Sequence, residues 1–484
     1  MNLNILEGER VGIGMNNRQP IRQHPDNPHY FLFRGMPTIL VTSAEHYGAV
    51  INLDFDYIPY LDTLHAYGLN YTRIYPGTLL ETDGAFVKDN TLGPRCGRHI
   101  VPWARSTIPG FALGNRFDLD KWDPAYFERL RDFIVQAGKR EIVVELCLFN
   151  GMYEEFWPVN PLYHENNLQG IGTCRFNEFQ TLADKPLVAR QEAFVEKIIR
   201  EVNDFDNIIL EIVDEPSIWD APPAEFRAWT LHMLEFAYNV ETKLSKRHLI
   251  AQMQDGKKDS PADFADHPLV SVITGQYTYG STWDGALRVL ELEYEHDKPV
   301  EFNETNRFPA GYKGDVVSSS RTEAWEFIVG GGAGFNQLNS IYTILNPAGK
   351  APENEKTLTA LQNLKNFIYG FDFVKMRRDM GCIRGGAPSG AFASGMSEPG
   401  RQYALYMHHS EIDDSRTIYI VRPGEYQEKI QMDIGKGDYI MDWVDPASGR
   451  TIRSEQFAHN GGIRIFTTPV YSIDIALRIK SICR

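Results

Sequence analysis

The sequence has few cysteines, no concentration of basic residues and no long apolar run, and each deficit argues against a class of protein. The formal net charge of −15, without a basic stretch, opposes binding to a phosphate backbone. No apolar run approaches the roughly 18 to 20 residues of a membrane span, so we expect neither nucleic acid nor a membrane as a partner. The five cysteines lack CxxC spacing, which indicates neither a disulfide framework nor a zinc knuckle: Cys96, Cys147, Cys174, Cys382 and Cys483.

The start of the chain also lacks the pattern of a signal peptide. The stretch MNLNILEGERVGIG has neither the basic nor the apolar region of a signal peptide. We therefore expect a cytoplasmic location for the chain as given, and an extracellular or periplasmic one if a leader was removed. The oligomeric state has no signal in the sequence.

The features present favour a large α/β core. Hydrophobic residues make up 43% of the 484 residues, and a chain of this length can hold a barrel of roughly 250 residues or more and a smaller module. From about residue 37 a β-rich run, a loop and a segment with helical spacing alternate, which is typical of parallel strands. The pattern predicts a (β/α)8 TIM barrel, with an open doubly wound sheet as the alternative. Its eight predicted strands are 38–43, 69–75, 141–149, 207–213, 248–254, 269–275, 299–304 and 333–339.

The pattern changes after residue 378. The runs GRQYALYM, RTIYIVR, YIMDWVDPASGR and GIRIFTTP are short and alternating, which predicts a β-sandwich accessory domain over 379–484. The barrel domain is then expected over 37–378. Residues 1–36 look like short strands that pack on the barrel or the sandwich.

Two predicted strands end in carboxylates. The apolar run NIILEIV is followed by Asp214, Glu215 and a proline, and the run KPVEFNE ends at Glu304. Barrel enzymes carry their reactive residues at the carboxyl ends of strands, and glycosidic bond cleavage uses two carboxyl groups. The alternative is that both are exposed loop acids.

In order along the chain, LEIVDEPS and PVEFNET resemble signatures of clan A glycoside hydrolases, close to the family 5 cellulase-like group. The resemblance implies that Glu215 is the acid/base and Glu304 the nucleophile of a retaining enzyme that cleaves β-glycosidic bonds of an oligo- or polysaccharide. On the seventh strand Glu304 is preferred to Glu301, because only Glu304 stands at the carboxyl end.

The resemblance extends to supporting residues. GLNYTRIY implies that Arg73 supports the nucleophile, although Arg73 could equally neutralise Glu211 on the fourth strand. GQYTY after strand six points to Tyr277, with Tyr279 in reserve. Further implied contacts to substrate are His46 in SAEHYG, Asn150 at the start of the loop after strand three, and Asp214. The related enzymes usually have asparagine in place of Asp214, where its amide touches the sugar 2-hydroxyl.

Three tryptophans in loops after strands three, four and six could stack on sugar rings: Trp157, Trp219 and Trp283. Each could equally serve loop packing.

Two other functions fit part of the pattern. A non-catalytic carbohydrate-binding barrel would not need both Glu215 and Glu304. A metal-dependent hydrolase would favour a His-x-His pair, and SAEHYG offers a lone histidine. We therefore expect a carbohydrate substrate and neither a metal nor another cofactor.

Overall fold

The structure, a computed structural model, describes residues 18–82, 84–110, 114–216, 222–254, 263–276, 286–305, 314–413 and 418–482. It begins with a three-stranded antiparallel sheet of β1 (Arg22–His24), β2 (Asn27–Phe33) and β3 (Met36–Thr38). The Arg34 guanidinium donates to the Asp206 carboxylate at 2.8 Å and to the Gly138 carbonyl at 2.9 Å. These partners precede barrel strands, so the small sheet lies at the amino end of the barrel, away from the strand ends that carry the predicted acids.

The centre of the molecule is an eight-stranded parallel sheet that curls into a nearly closed barrel. In chain order the strands are β4 (Leu40–Ala44), β5 (Tyr71–Ile74), the separate hairpin strands β6 (Trp103–Pro109) and β7 (Asn115–Trp122), then β8 (Val143–Asn150), β9 (Ile208–Asp214), β10 (Leu249–Met253), β11 (Val272–Gln276), β12 (Val300–Thr305) and β13 (Gly334–Leu338). Neighbours in the sheet follow the order β4-β13-β12-β11-β10-β9-β8-β5. The predicted (β/α)8 barrel is confirmed, and the open doubly wound sheet is not found.

The Asn70 side chain helps to close the barrel between β4 and β5, the two strands at the ends of the sheet order. Asn70 precedes β5, and its side-chain oxygen accepts from the Val41 amide of β4 at 3.1 Å. Its side-chain nitrogen donates to the Ile39 carbonyl at 2.9 Å, and its backbone amide donates to the Val41 carbonyl at 3.2 Å. Asn70 therefore satisfies edge groups of β4 that would otherwise lack a neighbouring strand.

Helices cover the outside of the barrel. Within the described residues they are α1 (Tyr57–Ala66), α2 (Pro124–Lys139), α3 (Lys185–Val202), α4 (Pro223–Glu241), α5 (Leu287–Glu293), α6 (Val316–Val329) and α7 (Pro352–Ile368). In α2 the Asp123 side chain caps the helix by accepting from the Ala125 amide, and Pro124 occupies the first turn. Across the described ranges, none of the helices has both the length and the apolar character needed to cross a bilayer.

An antiparallel β domain follows the barrel, as predicted. Its strands are β14 (Arg377–Arg378), β15 (Phe392–Glu398), β16 (Gln402–His408), β17 (Ser410–Asp413), β18 (Ile418–Val421), β19 (Lys429–Val444), β20 (Thr451–Thr467) and β21 (Asp474–Ser481). Six of these strands form one sheet in the order β14-β15-β16-β21-β19-β20, and β17 pairs with β18. The exact domain boundaries stay a prediction.

The C-terminal sheet packs on α6 of the barrel. Alternate residues of β16 face two separate cores: Tyr406 joins the barrel core, whereas Leu405 and Met407 join a second core within the C-terminal domain. At the barrel face the Arg321 guanidinium of α6 pairs with both carboxylate oxygens of Asp474, at 2.8 and 3.1 Å. The contact places the C-terminal domain beside the barrel wall.

Candidate active site

Glu215 and Glu304 lie at the carboxyl ends of β9 and β12. Their backbone φ angles are 50° and 52°, in the left-handed region that residues other than glycine rarely adopt. Glu215 is 5% exposed and Glu304 is 8% exposed, whereas Glu211 and Glu301 on the same strands are fully buried. The unfavourable backbone conformation therefore accompanies the only carboxylates of these two strands that reach the surface, as is common where function requires a fixed geometry.

One amide holds the two carboxylates together. The side-chain nitrogen of Gln276, the last residue of β11, donates to Oε1 of Glu215 at 3.1 Å and to Oε2 of Glu304 at 2.7 Å. The distance between those two oxygens cannot exceed the sum of 3.1 and 2.7 Å, which is 5.8 Å. The Tyr153 hydroxyl donates to the other oxygen of Glu215 at 2.6 Å. Both acids are therefore oriented by neutral donors at the mouth of the barrel.

Arg73 of β5 supplies a fully buried positive charge below this pair. Its guanidinium lies 3.5 Å from Glu304, 3.1 Å from Asp214 and 3.4 Å from Glu145. It also donates to the Glu211 carboxylate. Both roles considered for Arg73 in the sequence, support of Glu304 and neutralisation of Glu211, are thus compatible with one position.

Asp214 is fully buried and bound on several sides. Besides Arg73, its carboxylate accepts from the Tyr75 hydroxyl and from the side-chain nitrogen of Asn150 at 3.2 Å. The Asn150 nitrogen also lies 3.2 Å from the Tyr75 oxygen. The structure thus brings Asp214 and Asn150 together with Arg73, while their contact with a sugar stays a prediction.

The electrostatics of the pair follow from its surroundings. Burial raises the pKa of Glu304 well above its ordinary value, and the charges of Asp214 and Glu215 add to the rise. Arg73 and the Gln276 amide act in the opposite direction. The charge of one close carboxyl opposes ionisation of its neighbour, so the ionisation of Glu304 depends on the charge of Glu215.

A second group of acids fills the barrel interior. The Tyr71 hydroxyl donates to Glu145 at 2.8 Å and lies 3.2 Å from Glu301. Burial, together with the neighbouring Glu301, raises the pKa of Glu145 to about 8. Burial also raises the pKa of Glu301 to about 7, and it raises the pKa of Glu211 well above its usual range. Arg73 therefore faces more carboxyl groups than it can neutralise, so part of this group is protonated near neutral pH.

These interior acids predict that folding stability falls as the pH rises. Their carboxyls keep a proton in the folded state up to pH about 7 to 8 but lose it near pH 4.3, roughly, when unfolded. The stabilising contribution is therefore complete below the unfolded pKa and is lost as the pH rises through the folded pKa values. Urea unfolding midpoints should decline between about pH 5 and about pH 9.

The Glu301→Gln variant tests this assignment, because an amide cannot ionise. It should show a shallower decline of the unfolding midpoint with pH than the wild-type protein. The exposed Glu353→Gln change on α7 is the matched control and should keep the wild-type slope. Equal slopes for all three proteins would show that Glu301 is not protonated in the folded state.

The remaining predicted residues are bound to other groups or fall outside the described part. His46 is 2.9 Å from Glu81, which places it in a hydrogen-bonded loop base. Trp157 is 4% exposed, donates to the Cys174 carbonyl at 2.9 Å and packs on Phe179, so little of its ring is open to a sugar. The residues that fall outside the described ranges are Trp219, Tyr277, Tyr279 and Trp283. Their roles stay predictions.

Sequence reasoning missed three residues of the site. Gln276 directly precedes the tyrosine chosen after strand six, and Tyr153 lies within the loop expected to contact substrate. Tyr47 also has a positive φ, of 67°, and its ring lies 5.1 Å from the Arg73 guanidinium. The strand ends were the available signal, since each residue follows or completes a barrel strand.

Among the described residues, no group of three or more His, Cys, Asp or Glu side chains is arranged to hold a metal ion.

Comparison with known proteins relates the chain to glycoside hydrolases by fold. No family model matches the sequence. No curated protein matches it either. A solved glycoside hydrolase is similar with a TM-score of 0.62 and 14% identity, over 96% of this chain and 97% of that one. A glycoside hydrolase family 5 from Bacteroides vulgatus ATCC 8482 is similar with a TM-score of 0.61 and 14% identity, over 96% and 94% of the two chains. At such identity the likeness shows a common fold.

Proposed function

We propose that the protein is a retaining glycoside hydrolase that cleaves β-glycosidic bonds with Glu215 and Glu304. The observation that carries the proposal is the carboxyl pair bound to one Gln276 amide, with oxygens at most 5.8 Å apart. Retaining enzymes have carboxyl groups roughly 5 to 5.5 Å apart, and inverting enzymes need roughly 6.5 to 9.5 Å to admit a water. The glycoside hydrolases of similar fold support the same class of reaction.

The two acids take different roles in this mechanism. The charge of Glu215 is one cause of the raised pKa of Glu304, and it disappears when Glu215 is protonated. Arg73, 3.5 Å from Glu304, then favours the ionised form of Glu304, which attacks the anomeric carbon as the nucleophile. Glu215 keeps the proton of the pair and transfers it to the glycosidic oxygen as the bond to the leaving group breaks. Glu215 then takes a proton from water, and that water displaces Glu304 from the sugar with a second inversion.

The proposal is tested by screening activity on aryl β-glycosides and β-glycans, with Glu215→Gln as the control. The expected result is cleavage of at least one substrate, with a product that first appears as the β-anomer in proton NMR. A first product of inverted configuration would contradict the double displacement. Binding of a glycan without cleavage by any preparation would favour the alternative of a carbohydrate-binding barrel.

The bridging amide gives a further prediction. Gln276→Leu keeps a similar side-chain volume but removes both hydrogen bonds to the pair. Since each donor to a charged group contributes about 1.5 to 3 kcal/mol, kcat should fall by roughly ten- to a hundredfold. The pH profile of kcat should also narrow, or its optimum should shift, because the amide helps to set the ionisation of Glu304.

Gln254→Leu is a matched control, because Gln254 is a buried glutamine that directly follows the neighbouring strand β10 and bonds to backbone groups. Its pH profile should keep the wild-type shape even if its stability falls. An unchanged pH profile and kcat in Gln276→Leu would show that the amide does not govern the pair.

A further inference from the structure

The loop between β5 and β6 is fixed at its base. The Glu81 amide donates to the Leu92 carbonyl at 3.0 Å, which closes the loop. The Asn90 side-chain nitrogen donates to the Glu81 carboxylate at 2.7 Å and to the Ala85 carbonyl at 2.8 Å. His46, at 2.9 Å from the same carboxylate, ties the base to the end of β4. These bonds make the loop a defined support for the residues at its tip.

The loop presents a large aromatic ring to solvent. Phe86 is 51% exposed and has a φ of 53°, which is unfavourable for a bulky residue. Its ring meets Tyr153 edge-on at a centroid distance of 5.7 Å and Phe156 at 5.8 Å. These contacts hold the ring in one orientation while leaving half of its surface accessible. Neither burial nor backbone preference explains this arrangement.

The ring is connected to the carboxyl pair through Tyr153. Tyr153 packs against Phe86 and donates its hydroxyl to Glu215 at 2.6 Å. One side chain therefore separates the exposed ring from the acid. Trp157, for which the sequence left sugar stacking and loop packing as equal alternatives, is buried among Tyr163 and Phe179.

We propose that Phe86 forms a binding subsite for a pyranose ring of the substrate, namely a sugar unit adjoining the one that is cleaved. A pyranose with several axial C–H groups on one face is apolar on that face, and burying this face against an aromatic ring is favourable. The subsite rests on the proposed glycosidase function, and it makes the protein selective for chains over single sugars.

The test compares a short and a long substrate of the same sugar. The short one is the smallest aryl β-glycoside that the wild-type protein cleaves, and the long one is that glycoside extended by three β-linked units. Phe86→Ala should lose about tenfold more kcat/KM on the long substrate than on the short one, with most of the loss in KM. Phe86→Trp should restore the preference for the long substrate, because it also offers a flat ring. Ile463→Ala is the control, since Ile463 is 58% exposed on β20 of the C-terminal sheet.

The outcomes separate the subsite from the reaction. Equal losses on both substrates would indicate a structural role for Phe86 and overturn the subsite, as would kinetics of Phe86→Ala that match those of Ile463→Ala. In either case a loss of activity in Glu215→Gln and Glu304→Gln would leave the glycosidase proposal standing. If the wild-type protein cleaves none of the aryl glycosides or oligosaccharides of glucose, mannose and xylose, the proposed function fails and the subsite fails with it.

Discussion

Replacing either Glu215 or Glu304 by alanine is expected to lower kcat by at least about a hundredfold, the scale of a positioned acid, base or nucleophile. The two variants should differ in their response to azide when the substrate is an activated aryl β-glycoside. In Glu215→Ala, Glu304 can still form the glycosyl-enzyme, and azide then takes the place of the activated water. The product should be the β-glycosyl azide, with the configuration of the substrate retained.

In Glu304→Ala there is no nucleophile, so azide can only attack the substrate directly. Any rescued product should therefore be the α-glycosyl azide, whose configuration is opposite to that of the substrate. Glu353→Gln, on the exposed surface of α7, should match the wild-type protein in both rate and product. If both alanine variants keep most of the wild-type activity, the carboxyl pair is not the catalytic pair.

Replacing Arg73 by methionine is expected to be the most destabilising change in the barrel. The guanidinium is fully buried and lies within 3.5 Å of Glu145, Asp214 and Glu304. Removing one partner from a buried ion pair leaves an uncompensated charge, which typically costs about 3 to 5 kcal/mol. We expect a loss of that size in the free energy of unfolding, measured by urea denaturation, together with a large loss of activity.

A second substitution distinguishes charge from packing in that loss. Glu211→Gln removes one acid that Arg73 contacts, so it should reduce the penalty of Arg73→Met when the two are combined. The expected result is a double variant more stable than the sum of the two single changes predicts. Strict additivity would mean that Arg73 does not stabilise the fold through the charge of Glu211.

The barrel could be predicted from the sequence because its strands are short, apolar and separated by helical segments. Each of the eight predicted strands overlaps the observed one, as in β9, predicted over 207–213 and observed over Ile208–Asp214. Phe194, Ile198 and Val202 recur at helical spacing in the sequence and are buried on α3. The hairpin of β6 and β7 was not predicted. Its sequence contains polar residues such as Arg105 and lacks the regular alternation of apolar and polar residues that indicates a half-buried strand.

The site could be predicted only in part from the sequence, because it depends on the backbone conformation of Glu304. Glu301 points into the barrel toward Tyr71, so simple alternation along β12 would send Glu304 away from the interior. The left-handed conformation at Glu304 breaks that alternation and brings the carboxylate to Gln276. Local φ values of this kind cannot be read from a single sequence. The contacts of Gln276 join the ends of three strands, and those of Phe86 join two loops, and strand periodicity predicts neither set.

The most direct test of the proposed mechanism is to identify the covalent intermediate. The protein is incubated with activated 2-deoxy-2-fluoro-β-glycosyl fluorides of glucose, mannose and xylose, digested, and analysed by mass spectrometry. A retaining enzyme that uses Glu304 should carry one fluorosugar on the peptide that contains Glu304, and Glu304→Gln should carry none. A label on another residue, or cleavage of glycosides with inversion and no labelled peptide, would contradict the account.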